Sequence, residues 1–239
     1  MSNFPYGSQQ QPAWISGSTA DVAERERSFI RSVYGWMFGG LMLTAAASLW
    51  VVMSRAMQQL IFGNRAMMWI LLLAEIGLVF FLSARVTKMS AAAAASAFLV
   101  YSVLSGLTLS VIFFVYTQGA IFQAFVTAAG MFAAMSVYGM VTKRDLTSWG
   151  SFFFMGLIGV LLCMIVNYFL QSSLLGFAAS LIGVIVFVGL TAYDTQKLKA
   201  YATAPALREN LAIYGALALY LDFVNLFLML LRLFGGNRR

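Results

Sequence analysis

The chain has 239 residues, of which 62% are apolar and 10% charged, with a mean hydropathy of +0.86. A soluble domain carries about 25% charged residues, so too little polar surface remains here to solvate a globule. With no histidine and a single cysteine, Cys163, imidazole acid-base catalysis, histidine-held zinc or haem, an internal disulfide and any thiolate cluster are excluded. Cys163 sits in an apolar run and reads as a small hydrophobe.

Residues 1–20 carry no charge and are rich in Ser, Gln, Gly and Pro, a composition that buries too little to order itself. Together with the charged stretch ending at Arg31 they read as a disordered polar tail, residues 1–31. The charge-free run 32–54 follows, 23 residues long. A cleaved signal has a basic start and an apolar core of about 7 to 15 residues, so this longer, later run predicts a first membrane helix instead. A bilayer core of about 30 Å takes about 20 apolar residues per helix. A second span is expected over 66–84, with Glu75 at its centre. The 54 charge-free residues 89–142 hold two spans, 91–116 and 120–141, broken at Thr117-Gln118-Gly119. The run 146–193 begins two more, 150–170 and 174–199, broken near Gln171-Ser172-Ser173. A seventh, 211–231, is interrupted only by Asp222 and followed by a basic tail, 232–239.

The expected fold is therefore an all-α integral membrane protein, a seven-transmembrane-helix bundle over residues 32–231. A transmembrane barrel needs apolar and polar residues to alternate, and the continuous apolarity of 180–190 does not. Gly35 with Gly39, and Gly176, Ser180 and Gly183, have the small-residue spacing that lets membrane helices approach closely.

Lys and Arg in short loops set orientation. Ten lie on the N-terminal side (Arg25, Arg27, Arg31, Arg85, Lys88, Lys143, Arg144, Lys197, Lys199, Arg208) and five on the other (Arg55, Arg65, Arg232, Arg238, Arg239). The positive-inside rule then predicts a cytoplasmic N-terminus and, after seven spans, a C-terminus on the opposite side. The arginine-rich end pulls the other way, and a re-entrant last helix would leave both ends in the cytoplasm. Basic residues scattered over short loops give no reason to expect nucleic acid; the expected partner is the lipid bilayer.

Three acids remain inside spans: Glu75, Asp194 and Asp222. An acid at a membrane helix centre costs about 2.5 to 3.5 kcal/mol on insertion scales and normally faces the bundle interior or a water-filled cavity. At 1.5 Å per residue, Asp194 and Asp222 lie about 14 and 20 Å from the loop joining their helices, and tilt can bring them level. Two carboxyl groups meeting in a low-dielectric interior do not both ionise comfortably, so they share a proton and titrate as a unit. Such a pair senses pH, and its ionised oxygens are hard ligands for Ca²⁺. Gly215, Ala218, Asp222 and Asn225 fall on one face of the last helix, a small and polar stripe flanked by Leu and Phe, which points inward and suggests a central position for that helix. The alternative is that each acid is a hydrogen-bonded structural residue. Glu75, surrounded along its helix by Leu71, Leu72, Leu78, Val79 and Leu82, is at most an accessory group. Arg85 is on the same side as Asp194 and can either pair with it or act as a positive-inside anchor.

The segments GVIVFVGLTAYDTQKLK (183–199) and LYLDFVNLFLMLLRLFG (219–235) resemble the signature segments of the Bax inhibitor family. So do VYGWM at 33–37, SGLTLS at 105–110, GMFAAMSVYG at 130–139 and TKRDL at 142–146. The resemblance covers nearly all of the chain after about residue 28 and has the look of a bacterial inner-membrane member. It implies a seven-helix bundle with a central last helix and a pH-sensitive calcium leak. It maps the family's paired aspartates onto Asp194 and Asp222 as pH sensor and metal ligands, and its latching arginine onto Arg85, with Lys88 as the alternative.

The leading expectation is thus a passive, proton-regulated cation leak that needs no cofactor and passes Ca²⁺. A second is an interaction protein that modulates a membrane protease or stress response, with the tail as a handle for the partner. A third is a proton-coupled carrier of a small carboxylate. No nucleophile-base pair or metal cluster suggests an enzyme.

Overall fold

A computed structural model of the chain describes residues 19–202 and 209–235. The described residues form helices and no strand: α1 (Thr19–Met53), α2 (Arg55–Phe62), α3 (Arg65–Arg85), α4 (Ala91–Leu109), α5 (Ile112–Val115), α6 (Gln118–Val141), α7 (Thr147–Leu170), α8 (Ser173–Ala202) and α9 (Glu209–Phe234), with a 3-10 turn at Val86–Lys88. Seven are long and apolar enough to cross a membrane, counting α4 and α5 as one span. The expected all-α, seven-span architecture is what the chain adopts.

The breaks are made by short polar side chains that take over the backbone N–H groups a helix start leaves unpaired. Asn64 accepts from the N–H of Ala66, Ser90 from Ala93 and Thr117 from Ala120. Thr117 is where the sequence predicted the third and fourth spans to part. At the other predicted break, Gln171 takes a left-handed conformation at φ 49° and its N–H closes on the carbonyl of Asn167. The Asn167 side chain then accepts from Ser172.

Three expectations change. Residues 19–31, expected as part of a disordered tail, are helical. The buried face of the span continues outward through Met37, Val33 and Phe29 at helical spacing, and Glu26 on this extension pairs with Lys199 at 4.0 Å. Residues 1–18, the rest of the expected tail, lie outside the described residues. At the other end α9 runs through Arg232 to Phe234, so the tail expected from 232 begins later; residues 236–239 are also outside the described residues. The third change is the amphipathic α2, which fills the loop after the first span, its Ile61 packed with Val51 and Leu71.

α9 is central. It packs against α8, α6, α1 and α4, and 56% of its apolar window is buried against 6% for α7, so α7 is the peripheral, lipid-facing member. α1 and α4 approach closely at Gly106 of α4, where a β-carbon would collide with the Thr44 carbonyl and the Ala47 side chain. Gly35 and Gly39, expected to mediate close packing, face open space; Gly183 does pack, against Met229.

Candidate functional site

Asp194 of α8 and Asp222 of α9 come together. Their carboxyl groups lie side by side, each within interaction reach of the other. An ionised carboxylate has only acceptors, so a hydrogen bond between two carboxyl groups would require one of them to carry a proton. Asp222 is buried at 5% exposure, and its Oδ2 has no hydrogen-bond partner.

The pair opens on a cavity of about 680 Å³ between α7, α8, α9 and Ser83 at the end of α3. Ala218, Asp222 and Asn225 all line it, so the small, polar stripe points inward as its spacing predicted. Gly215, the fourth member, packs against the Leu198 side chain instead. Asn225 sits one turn beyond Asp222 and donates from Nδ2 to the Leu221 carbonyl at 2.8 Å, leaving its Oδ1 as a further neutral oxygen along this wall.

Sequence reasoning missed Lys197, which it counted only as a topological charge. Lys197 lines the same cavity, with its ammonium 5.7 Å from the Tyr193 ring centroid and 5.9 Å from that of Tyr201. The signal was present: Tyr193, Lys197 and Tyr201 are spaced by four, which stacks them along one face of a helix.

Arg85 is not brought to the pair. It is exposed at the end of α3, as is Lys88 just beyond it, and neither lines the cavity. Glu75 is apart as well. It accepts from the Thr108 hydroxyl at 2.5 Å, beside a buried seam that includes Ser105, Tyr101 and Tyr220. The Tyr220 hydroxyl is 2.7 Å from that of Thr44. Tyr220 and Asp222 are two residues apart on α9 and so lie on nearly opposite faces.

The helices carrying the pair are pinned nearby. Gln196 accepts from the N–H of Leu146 at 2.8 Å and donates to the Arg144 carbonyl at 2.7 Å, which ties α8 to the TKRDL loop. Lys199 donates to the Met140 carbonyl at 3.0 Å. On α9, the buried Asn210 donates to the carbonyls of Val86 and Met89 at 2.7 and 3.1 Å.

Among the described residues no group of three or more acidic or cysteine side chains is placed to hold a metal ion. The oxygen set at the cavity is one pair of carboxyl groups with neutral neighbours, and Ca²⁺ takes 6 to 8 oxygen ligands.

Known proteins match along nearly the whole chain. The family model described as Inhibitor of apoptosis-promoting Bax1 matches residues 26–239. Inner membrane protein YbhL of Escherichia coli K12 is 51% identical over 217 residues, covering 89% of this chain and 93% of the relative. An uncharacterized protein of Deinococcus radiodurans is 41% identical over 235 residues, 97% of this chain and 98% of its own length. One from Borreliella burgdorferi is 41% identical over 217 residues, 89% and 94% respectively. With the family model spanning all seven apolar helices and the paired aspartates meeting where the signature segments converge, this chain belongs to the Bax inhibitor family.

Proposed function

We propose that this protein is a pH-regulated passive cation leak of the bacterial inner membrane, with Ca²⁺ as cargo, no resident cofactor and no enzymatic activity. The observation that carries this reading is the juxtaposition of Asp194 and Asp222 on the wall of one cavity reaching into the bundle. With one proton shared between them the two helices are held together. Loss of the proton leaves two negative charges side by side in a low-dielectric setting, where they repel each other and attract a cation. The inner-membrane location is in keeping with the name of the Escherichia coli relative. The ten-to-five distribution of basic residues supports a cytoplasmic N-terminus, which puts the cavity on the cytoplasmic side.

The test is Ca²⁺ flux through purified protein in liposomes, titrated against pH. An amide is a neutral isostere of a carboxylic acid and cannot release a proton. Asp222→Asn and Asp194→Asn should therefore conduct at every pH as the wild type does at the acid end of its range, while Asp222→Glu keeps a pH dependence. Absence of flux through pure wild-type protein at any pH overturns the reading. The ammonium of Lys197 beside the acids favours one other reading, a proton-coupled carrier of a small carboxylate, and concentrative uptake driven by a pH gradient would select it.

A further inference from the structure

The geometry points to Lys197 as a tethered counter-cation of the Asp194–Asp222 site, one that an incoming divalent cation must outcompete. This rests on reading the acidic pair as a cation site. Among the described residues lining the cavity, the charged ones are Asp194, Asp222 and Lys197. Lys197 is three residues beyond Asp194 on α8, within its electrostatic reach.

A lysine near a membrane helix end ordinarily extends its ammonium toward the headgroups. This one is half-buried and held by aromatic faces, with Tyr193 and Tyr201 on its own helix and Tyr214 of α9 beside it. The Tyr193 ring lies over Gly150 at the start of α7, where a β-carbon would collide with it. A glycine there gives one side of the clamp its place.

The charge count follows. With one proton shared, the pair carries a single negative charge and Lys197 cancels it, so the cavity is close to neutral toward an arriving cation. Coulomb interactions across a few ångströms at a partly buried site are large against thermal energy. Removing the ammonium while keeping the pair should strengthen cation binding by about tenfold or more.

Terbium(III), a luminescent stand-in for Ca²⁺ that nearby tyrosines sensitise, reads this binding in the full chain in detergent without requiring flux. Lys197→Gln should bind Tb³⁺ at a concentration at least about tenfold lower than wild type. Lys197→Arg should stay within about twofold, and Lys197→Gln combined with Asp222→Asn should lose the gain. Equal affinity in wild type and Lys197→Gln overturns the inference, as does an absence of binding in both, or an equal change in Lys197→Arg, which would mark a packing role. If wild type passes no Ca²⁺ but Lys197→Gln tightens Tb³⁺ binding, the leak reading fails and this one stands; flux with unchanged Tb³⁺ affinity gives the reverse.

Discussion

Thr108 of α4 donates its hydroxyl to Oε1 of Glu75 on α3 at 2.5 Å, so the acid of the second span is held by the helix that follows it. Thr108→Val removes the donor and leaves Glu75 against apolar neighbours. An unsatisfied buried group costs about 1 to 3 kcal/mol, and hydrogen bonds between membrane helices average about 0.6 kcal/mol. The expected loss is therefore about 1 kcal/mol, read as a lower thermal midpoint in detergent. Glu75→Gln keeps an oxygen that can accept from Thr108 and should lose less than half as much. A larger loss for Glu75→Gln would show that the acid itself, rather than its hydrogen bond, matters here.

At the start of α7, Asp145 accepts from the N–H of Thr147 at 2.9 Å and from its hydroxyl at 2.6 Å. These bonds hold the exposed Asp145 carboxyl below the usual carboxylate range. A carboxyl depressed in the folded state contributes stability above its unfolded value of about 3.9, and that contribution is lost as pH falls through the lower folded value. Amide exchange in the first turn of α7, corrected for intrinsic rates, should accelerate on acidification below about pH 4 in wild type. Asp145→Ala should be frayed there at all pH values, with no such step.

The last helix is long and apolar enough to cross completely. α9 has 26 residues, about 39 Å at 1.5 Å each, and Gly235 just past its end lies against the Tyr116 ring, where α5 meets α6 at the end of the bundle away from the start of α1. Thr19 and Gly235, the first and last described residues, therefore lie at opposite ends of the bundle, which favours seven full crossings over the re-entrant alternative. A fluorescent reporter that matures only in the cytoplasm should glow when fused before residue 1 and stay dark when fused after residue 239. Fluorescence from both fusions would contradict this topology.

What was legible in the sequence was legible because lipid tolerates so few charges. Asp194 and Asp222 stood out as acids set into long apolar runs, and the spacing of Ala218, Asp222 and Asn225 told which way α9 faces. Thr117 marked a break because a hydroxyl that caps a helix also has a poor place inside one. The features that escaped depend on partners distant in the chain. Thr108 cannot be assigned to Glu75 until α3 and α4 are packed. Lys197 looked like any loop cation because orientation counting treats basic residues alike, although Tyr193 and Tyr201 flanked it at helical spacing. The helical extension of α1 escaped because its charges suggested solvent and a tail. Its Ala, Glu and Arg residues are good helix formers, and Phe29 carries the buried face outward.

Asp194 does not travel alone. Gln196 and Lys199 bolt the same stretch of α8 to the corner between α6 and α7 and to the carbonyl of Met140, while Asn210 bolts the helix of Asp222 to the end of α3. The pair thus joins two helices that are tied to different parts of the chain, so any separation of the carboxyl groups would have to be taken up at both sets of ties.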